Sequence, residues 1–218
     1  MFSTLFERKY RVGVFIILIL TAKIYAQTNP YSSGNSIDSI YIERLKYSSI
    51  DEGLLHPAAV AFSHYPELDS AHIIFKYKSM KWMMAARPAP NFICKPKTDR
   101  DYFIIVNTRE RMNADTLLHI MPFDAKVGII GHELAHILDY ENMSRVELLF
   151  FGVKYVVCTR KIEKRTDMTT IEHKLGDQLL KYDEFIKDND LVTKRYTKRR
   201  ARNYLSPKTV KKMKKKYK

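Results

Sequence analysis

Gly131 is followed by His132-Glu133-Leu134-Ala135-His136, an H-E-x-x-H pattern. On a helix, positions i and i+4 share one face, so His132 and His136 can offer two imidazoles to a single Zn²⁺. Glu133 stands beside the first histidine, where its carboxylate can reach a metal-bound water. A metal lowers the pKa of such a water from about 15.7 towards about 7, which makes it a nucleophile near neutrality. The chemistry this pattern points to is metal-assisted hydrolysis of a peptide bond. The bland alternative is a buried helix that happens to carry two histidines, and it leaves two costly imidazoles without partners.

A catalytic zinc site takes three protein ligands and keeps one position open. The metzincin continuation needs glycine at 139 and histidine at 142, but those positions hold Asp139 and Asn142. The thermolysin-like spacing would place a glutamate near position 156, which is Val156. The best third ligand is Glu163, in the E-x-x-x-D stretch Glu163-Lys164-Arg165-Thr166-Asp167. On a helix Glu163 and Asp167 share a face, so Glu163 can bind the metal while Asp167 holds a zinc-binding histidine by its other ring nitrogen. The competing reading is a solvated helical face pairing with Lys164 and Arg165. Glu147, Glu172 and His173 are rival ligands, and Glu141 is too near His136 to fold back. For the group that stabilises an oxyanion, Tyr155, His173 and Tyr182 are candidates and the sequence does not choose among them.

His132, His136, Glu163 and Asp167 together resemble the gluzincin branch of the zincin metallopeptidases, and more narrowly its small single-domain forms, the minigluzincins. The segment Glu163–Gly176 (EKRTDMTTIEHKLG) is also similar to the E-x-x-x-D helix of the membrane-associated CAAX-processing metallopeptidases. The resemblance covers about fifty residues, from Lys126 to Gly176, and implies Zn²⁺, an α+β fold, and peptide hydrolysis with Glu133 as general base. One departure is the basic run before Asp167, where such motifs usually carry small polar residues or alanine.

The elements that must position these groups are legible in outline. Asp124 to Tyr140 reads as an amphipathic helix, with Asp124 as its cap and Val127, Ile130, Leu134, Ile137 and Leu138 facing the core. Residues 73–77 and 102–106 have strand character, and Trp82 to Ala86 reads as a third strand. Leu54 to Phe62 predicts a short helix. Met143 to Val157 and Thr169 to Lys187 predict further helices. The expectation is an α+β fold: a small mixed sheet, then the active-site helix, then C-terminal helices.

The ends of the chain speak to location. Arg8, Lys9 and Arg11 precede the apolar run Val12–Ala22, and Ala26-Gln27 offers a cleavage point, so residues 1–26 read as a signal peptide. An uncleaved membrane anchor is the alternative. Residues 27–50 read as a polar lead-in, 51–193 as the zincin-like domain, and 194–218 as a basic tail. Of the net charge of +14, the tail alone carries +13. The expectation is therefore an exported enzyme, periplasmic or extracellular, acting on a peptide or protein substrate. Its tail is free to meet an anionic envelope surface and is not expected to bind nucleic acid. The other reading is a zinc-containing binding or scaffolding protein without turnover. Cys94 and Cys158 allow one disulfide or two free thiols.

Overall fold

The computed structural model describes residues 36–45 and 48–217. The expected signal peptide, residues 1–26, and the start of the lead-in lie outside them. Residues 38–217 belong to one compact unit. The lead-in ends in a helix, α1 (Ser36–Leu45), where the sequence suggested a linker. Tyr41 and Leu45 bury its inner side, and the Arg44 guanidinium donates to the carbonyls of Leu68 (3.1 Å) and Ala71 (2.6 Å).

Helix α2 (Glu52–Ser63) begins where the Asp51 side chain accepts from Gly53 N, satisfying one of the donors a helix start leaves open. Three strands follow: β1 (His72–Lys78), β2 (Met84–Pro88) and β3 (Asp101–Asn107). The order is β1-β3-β2. β1 runs parallel to β3, pairing Phe75 with Ile104, and β2 runs antiparallel to it, pairing Ala86 with Ile104. β2 is shifted towards Pro88 relative to the expected Trp82 to Ala86, and its edge place tolerates the missing proline donor. Ile73, Phe75, Tyr102, Ile104 and Val106 alternate into the core. The apolar Leu117 falls in a short helix, α3 (Ala114–Ile120).

Helix α4 (Phe123–Glu141) is the site helix. It starts at Phe123 with Pro122 as its cap, so the expected capping by Asp124 is not what is seen. Asp124 lies in the first turn, where a carboxylate complements the positive helix end. Val127, Ile130, Leu134 and Ile137 are buried as expected, and Leu138 is partly buried. Gly128 and Gly131 lie one turn apart against α6 (Gly176–Asp188). A Cβ at Gly128 would collide with the backbone of Gln178, and one at Gly131 with the Leu175 side chain. The two glycines therefore set how closely α4 and α6 approach.

Helix α5 spans Arg145–Glu172, opened by a reciprocal Ser144–Glu147 capping box. The sequence suggested a break after Val157; the chain instead kinks at Cys158 (φ −114°, ψ 21°) and continues. The expected helix from Thr169 to Lys187 is in fact the end of α5, a turn with Lys174 at φ 63°, and α6. Two last helices, α7 (Lys194–Asn203) and α8 (Pro207–Lys214), fold the basic segment back onto α5 and α6. Val210 packs with Ile171, Leu179 and Leu180 in a small second core. Both cysteines are free thiols.

Candidate metal centre

Helix geometry places His132 and His136 one turn apart, and the second half of α5 crosses them with Glu163. His132 Nε2 lies 3.0 Å from Glu163 Oε2, and His136 Nε2 lies 3.5 Å from the same oxygen. Ligand atoms about 2.0–2.1 Å from a tetrahedral zinc stand roughly 3.3 Å from one another, so the observed separations fit one small cation. These three side chains form a buried group that could hold a metal ion. Glu147 is spent on the capping box and Glu172 is exposed, and neither reaches the group.

The ring nitrogens facing away from the trio each have a polar neighbour. His132 Nδ1 is 2.9 Å from Asp167 Oδ1. His136 Nδ1 is 3.3 Å from the Thr166 hydroxyl, which donates its own proton to the Ile162 carbonyl at 3.1 Å. With its proton committed, that hydroxyl can only accept from Nδ1–H. Both imidazoles therefore turn Nε2 towards Glu163, and loss of the Nε2 proton would leave the tautomer a metal requires. Thr166 was not foreseen, although its place three residues after Glu163 puts it on the same helical face.

The histidines and carboxylates of the group shift one another's titration. Burial alone would lower the pKa of His132, but Asp167 and Glu163 push it up to about 10. Burial would raise Glu163, yet His132 and His136 hold it well below the usual carboxylate range. Asp167 and Glu163 thus favour the charged form of His132. The Tyr155 hydroxyl donates to Glu163 Oε1, the oxygen turned away from His132.

Glu133 points elsewhere. Its Oε2 accepts from Ala86 N on β2 at 2.6 Å, and burial raises its pKa. Glu133, the three cluster residues, Tyr155 and Tyr204 line one cleft of about 350 Å³, with Met84 to Pro88 along its wall. Of the three oxyanion candidates, only Tyr155 lines this cleft. The His173 ring stacks on Tyr65 (4.2 Å between centroids), and Tyr182 is buried with its hydroxyl 2.9 Å from that of Tyr196.

The basic segment reaches the site, which its composition did not announce. Leu205 N donates to Asp167 Oδ2 at 2.8 Å, and the Tyr204 ring lies 5.4 Å from that of His132. Arg200, 8 % exposed, pairs its Nε with Asp183 Oδ1 at 2.5 Å and covers the Tyr204 ring. No sequence signal links position 204 to position 132.

No protein-family model matches this chain, and no curated protein or solved structure matches it significantly. The site's chemistry therefore rests on its own geometry.

Proposed function

We propose that the chain is an exported zinc-dependent peptidase, with His132, His136 and Glu163 as the residues that hold the metal. The observation that carries this reading is the division of labour in one cleft. Two imidazoles and one carboxylate converge, while a second carboxylate, Glu133, is held off the cluster by Ala86 N. A purely structural site closes its fourth position with another protein ligand, and no fourth ligand joins this group among the described residues. A bound zinc ion would supply Lewis-acid polarisation of a carbonyl and a water acidic enough to lose its proton near neutrality.

Every other part of the reaction falls to the protein. Glu133 takes the proton from the attacking water and returns it to the departing amine. Its burial-raised pKa suits a group that must carry a proton between two steps. Asp167 and Thr166 keep the two imidazoles in the binding tautomer. The largely apolar wall formed by Met84, Phe151 and Leu148 excludes water and accepts an extended peptide segment.

The test combines metal analysis of the purified protein with hydrolysis of a peptide library. We expect Glu133→Gln to keep its metal and to lose roughly 10²–10⁴-fold in turnover, the usual worth of a general base. Wild-type turnover by a metal-loaded Glu133→Gln protein would overturn the mechanism. A metal-loaded wild type that cleaves nothing would favour the binding or scaffolding alternative. Export is read from residues 1–26 alone, so the protein outside the cytoplasm should begin at Gln27; an intact Met1 on the cytosolic protein removes that part of the proposal.

A further inference from the structure

The amino-terminal half of α5 has two apolar faces. Leu148, Phe151 and Tyr155 turn towards the core and the metal cleft. The other face holds Val146, Leu149, Phe150, Val153, Val156 and Val157, and it is bare: Phe150 is 69 % exposed, Val156 79 % and Val157 78 %. Their spacing gathers these six side chains into one continuous stripe. Exposed apolar residues scattered singly are ordinary, but a contiguous stripe marks a contact surface.

The border of the stripe is cationic. Val156 and Val157 share the wall of one groove with Trp82, Arg160, Arg199 and Arg202. Arg199 and Arg202 also line the adjoining groove on α7, together with Lys194, Arg195 and Lys198. None of these five α7 cations is in an ion pair among the described residues. The Arg199 guanidinium lies 3.6 Å from the centre of the Trp82 ring, which ties the basic helix to the edge of the apolar face.

We propose that this face docks on the surface of an anionic lipid bilayer. The α5 stripe enters the boundary between acyl chains and headgroups. Trp82 sits at headgroup depth, and the α7 cations meet lipid phosphates. An apolar helical face flanked by lysine and arginine is the chemistry of interfacial binding, and tryptophan prefers that depth. Among the described residues no helix is long and apolar enough to cross a membrane, so the contact proposed is with the surface. A second copy of the chain fits the stripe less well, because two-fold pairing would bring the two cationic borders together. This inference does not rest on the peptidase reading. Combined with it, Trp82, which also lines the metal cleft, places the cleft mouth beside the lipid.

Trp82 is the chain's one tryptophan, so its fluorescence reports on this face and is blind to the apolar segment 12–22. The experiment titrates the full chain with phosphatidylglycerol–phosphatidylcholine vesicles carrying brominated acyl chains. The expected result is quenching of Trp82, at least about tenfold weaker on pure phosphatidylcholine, and weakened by salt through screening beyond roughly 10 Å at 0.1 M. Phe150→Asp/Val157→Asp should abolish the quenching while the protein keeps its metal content and melting temperature. Arg160→Glu/Arg202→Glu should weaken it by about tenfold or more, with Arg199 left in place because it stacks on the reporter. Vesicle binding without quenching of Trp82, or equal quenching in the Phe150→Asp/Val157→Asp protein, would overturn the proposal. So would a dimer in light scattering that the same double variant dissociates, which would make the stripe a self-interface.

Discussion

Asp167→Asn is the sharpest probe of how the centre is built, because Asp167 faces two donors at once. Oδ1 stands 2.9 Å from His132 Nδ1 and Oδ2 accepts from Leu205 N at 2.8 Å, and the side chain is fully enclosed. The introduced asparagine has a single oxygen. If that oxygen faces His132, the amide group is set against Leu205 N–H, and a buried donor goes unsatisfied at about 1–3 kcal/mol. If it faces Leu205, the amide donates to His132 Nδ1, and the ring's proton moves to Nε2, the atom that must bind metal. The first outcome lowers stability, by about 2–4 °C in melting temperature per kcal/mol for a unit of this size. The second lowers metal affinity by about 10–100-fold, or roughly 1.4–2.8 kcal/mol. Zinc titration against a competing chelator, and thermal melts with and without metal, read the two arms separately. An Asp167→Asn protein that matches wild type in both measurements would refute the assignment of Asp167 as the group that orients His132.

Glu163→Ala should strip the metal at chelator concentrations that leave Glu172→Ala fully loaded, since Glu163 is 1 % exposed within the trio and Glu172 faces solvent; the reverse order would mean that the wrong face of α5 has been assigned. Gly128→Ala should destabilise the fold by about 1–3 kcal/mol, as overpacking does, because the new methyl group meets the Gln178 backbone rather than a side chain that can move. Chemical denaturation checks it, and an unchanged midpoint would show that α4 and α6 are not in contact there.

The chain's sequence marked out the residues that the fold gathers into the candidate metal centre, and much less of their enclosure. His132, Glu133 and His136 are legible because a helix imposes their spacing, and Glu163 and Asp167 because a second helix imposes theirs. Local periodicity likewise revealed β1, β3 and the site helix. It misplaced the helix boundaries after Val157 because Cys158 bends the helix without ending it, and a kink of this kind leaves no proline or glycine behind. It also read residues 194–218 as a tail, since thirteen cations without an acid resemble a solvated segment. Only tertiary contact makes Arg200 a buried partner of Asp183 and brings Leu205 N to Asp167. Those contacts pair groups far apart in the chain, and the pairing depends on where α6 turns the backbone back. The same holds for the bare stripe of α5: the sequence shows its apolar residues, but only the packing decides which face the core consumes and which is left for something else.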